Sequence, residues 1–221
     1  MTRRGWVVVL GVLGALLVGG VSQAFLWRWG LGGLGNLTDS QFMWALFTFG
    51  VGWGWAEGRV GQGAFAGGVT GLALIASYYA MQWLADGPHS ATAQFSKSGG
   101  LTWTLAAMGG GALMGLFGGL ASTSRHERPR LKALGLATPA VIVGVGPGLW
   151  ILTSYRYSEP SRLLPTAVVF LLVGVVLLVC AVRMCGPSRA IQALAVSTGI
   201  GAVALSGLLW LQVHRWLYLT F

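Results

Sequence analysis

Seven stretches of this chain are apolar for long enough to cross a lipid bilayer, and none carries a charged residue within its core. A crossing helix needs about 20 predominantly apolar residues. The runs fall at about 6–26, 41–57, 63–84, 101–122, 136–154, 163–183 and 192–212, of which the second is the shortest. The links between them are brief, the longest covering 27–40, 85–100 and 123–135, so no soluble domain is inserted. The pattern predicts an all-α, polytopic membrane helix bundle of seven transmembrane helices, one transmembrane domain over residues 1–221. It also excludes mechanisms. A proton relay, a voltage sensor or a catalytic carboxylate within a membrane needs an ionisable group at depth, where such groups are costly and mark function.

Composition agrees. Only 9% of residues are charged, against about 25% in soluble domains, too few to dress a water-facing surface. The formal net charge of +9 would suggest nucleic acid in a soluble protein. Here it reads as the excess of basic residues that gathers in cytoplasmic links, and no nucleic-acid partner is expected. With the N-terminus inside, the inner segments hold Arg3, Arg4, Arg59, Arg125, Arg128, Arg130, Lys132, Arg183 and Arg189. The outer segments hold only Arg28, Lys97, Arg156, Arg162 and Arg215. The expected topology is N-terminus in and C-terminus out, in the cytoplasmic (inner) membrane. Ser22-Gln23-Ala24 resembles a signal-peptidase site, but the apolar run before it is long for a signal peptide, so a retained first span is expected.

The aromatics test that topology independently, because Trp and Tyr settle at membrane interfaces. Trp27, Trp29, Trp44, Trp83, Trp103, Trp150, Trp210, Trp216 and all five tyrosines fall near outer ends, while Trp6, Trp53 and Trp55 lie near inner ones. One coherent outer belt results, which a miscounted span would scramble.

Small residues recur four apart in several spans: Gly11, Ala15 and Gly19; Gly50, Gly54 and Gly58; Gly63, Gly67 and Gly71; Gly111, Gly115 and Gly119. Residues at that spacing share a helix face. A face without side chains lets backbones approach, the kind of packing on which helix association in lipid depends. The last two stripes are expected to serve as helix-packing faces, or else to receive a partner subunit. Their surroundings, 61–73 and 109–121, match at seven of thirteen positions, as inverted repeats would, although glycine and alanine dominate the matches.

Two features suggest a ligand site. The fifth span contains Pro139 and the run Gly144-Val145-Gly146-Pro147-Gly148, where proline removes a helix hydrogen bond. The result is either a packing kink or a break whose carbonyls face a cavity. At the outer end of the third span lie Ser77, Tyr78, Tyr79, Gln82 and Trp83. With Thr102, Trp103, Trp150 and Tyr155 they would wall an aromatic vestibule of the kind that suits small organic ligands. The candidate ligand-binding set is Tyr79, Gln82, Trp83, Trp103, Gly146, Pro147 and Trp150. Glu57 and Arg59, at the inner end of the second span, read as an interfacial ion pair, or as a polar site if that span runs longer.

Other chemistry finds no residues. His89, His126 and His214 lie in links or at a span end, both lysines lie outside the spans, and Cys180 and Cys185 are five apart, on different helix faces. No metal, haem or retinal site is expected, no cofactor, and no enzyme, since acid–base and nucleophilic catalysis need groups missing at depth.

The segments GWAEGRVGQGAFAGGVTGLALIASYY and GGGALMGLFGGLAS resemble an uncharacterised family of small Gly-rich polytopic actinobacterial membrane proteins. That resemblance implies a fold but no activity. The functional expectation is a transport subunit that binds or passes an uncharged or amphipathic small molecule. The alternative is a non-catalytic subunit or assembly factor of a larger membrane complex. The expected partners are the lipid bilayer and other membrane subunits.

Overall fold

A computed structural model describes residues 6, 9–18, 41–87, 100–124, 128–145 and 160–200. All the regular structure among them is helical. In chain order the helices are α1 (Val9–Val18), α2 (Gln41–Ala56), α3 (Val60–Asp86), α4 (Gly100–Ala121), α5 (Pro129–Pro139, running on as a π-helical turn Ala140–Val145), α6 (Pro160–Cys185) and α7 (187–200). Three of them contain stretches long and apolar enough to cross a membrane: Val60–Leu84, Gly100–Ala121 and Ala167–Cys185. They correspond to the third, fourth and sixth runs of the sequence. The α2 helix has 16 residues, about 24 Å at 1.5 Å per residue, which is short for a full hydrocarbon core.

The chain itself punctuates these helices. Pro129, Pro160 and Pro187 stand at helix starts, where a missing N–H costs nothing. Gly186 alone links α6 to α7. Its φ of 90° is a left-handed conformation open to glycine at little cost. Its N–H donates to the Val182 carbonyl at 2.9 Å, and its own carbonyl accepts from Ala190 N at 3.1 Å.

Close backbone packing holds the bundle together, and α4 is its hub. The stripe Gly63, Gly67, Gly71 on α3 lies against Gly111, Gly115, Gly119 on α4, antiparallel and in register. A β-carbon added at Gly67 would stand 2.7 Å from Gly115 Cα, and one at Gly115 would stand 2.8 Å from Gly67 Cα. Gly71 faces Ala107 and Gly111, while Gly63 faces Gly115 and Gly119. Beside that seam, a β-carbon at Gly52 of α2 would come 2.5 Å from the same Gly115 Cα, and Gly118 meets the backbone of Gly52 and Trp53. Gly135 of α5 rests on Phe117 and Leu120 in the same way. Lipid gives helices no hydrophobic drive to associate, so dispersion between closely approaching backbones has to supply the attraction. Phe49, Met114, Phe117, Leu136, Val143 and Leu177 fill the space between α2, α4, α5 and α6. The outer surface is apolar too, with Phe65, Leu101, Leu105, Leu172 and Val176 all exposed.

One difference from the sequence expectation concerns the start of α5. The stretch 123–135 was expected as a link, yet the helix begins at Pro129 and takes in Arg130 and Lys132. Charges delay a hydropathy signal without preventing a helix. Lys132 is buried, and its Nζ donates to the Thr123 carbonyl at 3.1 Å, placing a cation at the carbonyl-rich end of α4. At Pro139, where the sequence left a packing kink or a break open, the helix is continuous. It continues as a π-helical turn over Ala140–Val145, a rare local widening of the helix. There Gly144 and Gly174 bring the backbones of α5 and α6 together, a β-carbon at Gly144 lying 2.6 Å from Gly174 N.

Candidate ligand site at the aromatic end of the bundle

The antiparallel pairing of α3 with α4 brings the end of α3 beside the start of α4. The start of α2 joins them there, because Trp44 meets Tyr78 edge-on with ring centroids 5.8 Å apart. Tyr78 in turn meets Tyr79 edge-on at 5.6 Å. Two consecutive residues of α3 therefore carry linked phenol rings, and Trp44 of α2 closes on the first of them.

Gln82 lies four residues after Tyr78 and three after Tyr79, on the helix face those rings share. It is completely buried. Among the described residues, the buried side-chain atoms without any hydrogen-bond partner are its Oε1 and Nε2. The other buried polar groups find partners. Thr70 Oγ1 donates to Ala66 O at 2.8 Å, and Thr48 Oγ1 to Ala45 O at 2.9 Å. Ser77 Oγ donates to Leu74 O at 2.9 Å and also reaches Ala15 O of α1 at 3.4 Å. Thr138 and Ser197 bond each other at 2.9 Å across α5 and α7. A short hydroxyl can turn back onto its own helix. A carboxamide on two methylenes reaches beyond that, and leaving it unbonded costs about 1–3 kcal/mol per group. Such an exception in a folded protein calls for a water, an ion or a ligand.

The remaining candidates spread out around this point. Tyr79 is half-buried, whereas Trp83 and Trp103 are 51% and 43% exposed. Those two rings look outward and do not line an interior wall with Gln82. Gly146, Pro147 and Trp150 lie outside the described residues. The six stripe glycines meet one another and present no open face. Glu57 sits exposed in the turn beyond the end of α2, with φ at 42°. The Gly58 N–H beside it donates to Ser122 Oγ at 2.8 Å, tying the α2–α3 turn to the end of α4. Sequence reasoning placed Trp44 in the interfacial belt but missed its contact with Tyr78. It also missed the Thr138–Ser197 bridge, for which the only signal was two hydroxyls inside apolar runs. Among the described residues no three potential metal ligands come together.

An all-helical bundle, small-residue faces at its helix contacts, an apolar exterior and three helices of spanning length together define an α-helical membrane protein. The chain belongs to the family described as "Family of unknown function (DUF6518)", whose model matches residues 1–212. Neither a curated protein nor a solved structure matches it.

Proposed function

We propose that this protein is a multi-pass, non-enzymatic transport subunit of the cytoplasmic membrane that binds or passes an uncharged or amphipathic small molecule at its aromatic end. The carrying observation is Gln82, buried without a hydrogen-bond partner beside Tyr78 and Tyr79. A carboxamide offers an adjacent donor and acceptor, matching a neutral ligand that presents the same pair reversed, such as an amide or a protonated acid. Aromatic edges and faces around one precise polar group suit a largely apolar ligand body. The proposed topology has seven spans, N-terminus inside and C-terminus outside, with the aromatic end outward. It is supported by Arg59, Arg128, Arg130, Lys132, Arg183 and Arg189, which stand in or beside the turns at the opposite end of the bundle, as basic residues do at cytoplasmic ends.

The test is native purification in mild detergent, followed by mass spectrometry of small molecules released on denaturation. A neutral or amphipathic compound retained by the parent and lost from Gln82→Met supports the reading. Identical small-molecule profiles for the two proteins would refute it.

A second reading, a subunit of a larger membrane complex, rests on α2. There Gly50 and Gly54 are exposed, and nothing lies within 4 Å of a β-carbon added at Gly50. A smooth outward stripe suits a partner helix. A stoichiometric protein that co-purifies with the parent and is lost on Gly50→Leu would favour this reading over transport.

A further inference from the structure

The end of the bundle opposite the aromatic rings gathers basic side chains from separate elements. Arg128 and Arg130 stand at the start of α5, Arg183 in the last turn of α6 and Arg189 in the first turn of α7, all four exposed. They lie on neighbouring elements, because Ala133 and Ala137 of α5 pack directly against Cys185 and Ala193 on either side of the α6–α7 corner. Gly186 makes that corner one residue long, so Arg183 and Arg189 flank it. Among the described residues the acidic one at this end is Glu57, in the α2–α3 turn. Below the arginines, toward the middle of the bundle, α6 exposes Val175, Val176, Val179 and Val182. The apolar stretch Ala167–Cys185 is only 28% buried within the protein.

We infer that the α5–α6–α7 corner binds an anionic phospholipid, its headgroup phosphate held by Arg128, Arg130, Arg183 and Arg189 and its acyl chains lying along the valine face of α6. The two halves of the site match the two halves of such a lipid. Guanidinium groups bind phosphate oxygens in bidentate fashion, and basic pockets between helices at the membrane surface bind acidic headgroups. A soluble anion would use the arginines but leave the valine face uncovered. The site does not depend on the orientation proposed above, because lipid headgroups meet that end in either direction.

The experiment uses the full chain in detergent, with phosphatidylglycerol or phosphatidylcholine added at equal concentration. Retained lipid is counted by native mass spectrometry. The parent should retain phosphatidylglycerol in preference to phosphatidylcholine. Each neutralised arginine at a membrane surface should weaken that binding about fivefold, so Arg183→Gln with Arg189→Gln should weaken it roughly 25-fold. Arg183→Lys with Arg189→Lys keeps the charge and should retain most of the binding, separating charge loss from misfolding. Equal retention of the two lipids by the parent would overturn the inference. So would an unchanged preference in the glutamine variant, or displacement of phosphatidylglycerol by millimolar inorganic phosphate.

Discussion

Replacing Gln82 with methionine tests the site on stability before any ligand is known. Methionine has a similar length and volume but no strong hydrogen-bonding atoms, so the packing around Tyr78 and Tyr79 survives while both orphaned polar atoms disappear. Each unpaired buried polar atom costs about 1–3 kcal/mol, and Gln82 contributes two. Membrane interiors return the low end of such values, so Gln82→Met should stabilise the ligand-free protein by about 2 kcal/mol. For soluble domains of 150–250 residues, 1 kcal/mol moves the melting temperature by about 2–4 °C. On that scale the gain is about 4–8 °C. Thermal unfolding of the delipidated, extensively washed protein in detergent, followed by size-exclusion chromatography, gives the readout. Gln82→Ala should lose stability instead, because a fully buried side chain leaves a cavity. An unchanged or lower melting temperature for the methionine variant would show that Gln82 is bonded in the folded protein, and the case for a ligand at this point would fall with it.

Gly115→Leu should cost more than about 3 kcal/mol, since overpacking costs 1–3 kcal/mol where neighbours can yield and Gly115 is wedged between the backbones of Gly52 and Gly67. Gly50→Leu should change the melting temperature of the isolated chain little, and equal losses for the two variants would contradict the packing. Gly186→Ala should destabilise by about 1–2 kcal/mol from its left-handed backbone, read as an earlier unfolding midpoint; an alanine variant as stable as the parent would mean the corner can rearrange. In a background lacking Cys180 and Cys185, Gly99→Cys should react with a membrane-impermeant thiol reagent on intact cells, whereas Ser124→Cys should not. Labelling of the 124 site would reverse the proposed orientation.

Much of the helical architecture was legible because hydropathy is local. The runs at 63–84, 101–122 and 163–183 became α3, α4 and α6, shifted by a few residues. The start of α5 was misjudged because Arg130 and Lys132 dilute the hydropathy of its first turns, although Pro129 marks where the helix begins. Glycine spacing announced packing faces without saying which would meet. Gly63, Gly67 and Gly71 found Gly111, Gly115 and Gly119, while Gly50 and Gly54, with the same spacing, look outward. The candidate site was legible in composition but not in geometry, and its sharpest feature, Gln82 without a partner, was one polar residue among several.

From the sequence alone came the class, the number of long apolar runs, the two chemically different ends and the absence of charge at depth. Each depends on what a residue is and on its near neighbours in the chain. Only the tertiary structure decided which side of each helix is inside. In a soluble helix a polar stripe marks the outer face, but helices in lipid are apolar on every side and carry no such stripe. Gln82 and Trp83 are adjacent in sequence, yet one is fully buried and the other half exposed, because the fit of glycine backbone against glycine backbone on α3 and α4 sets the rotation of both helices.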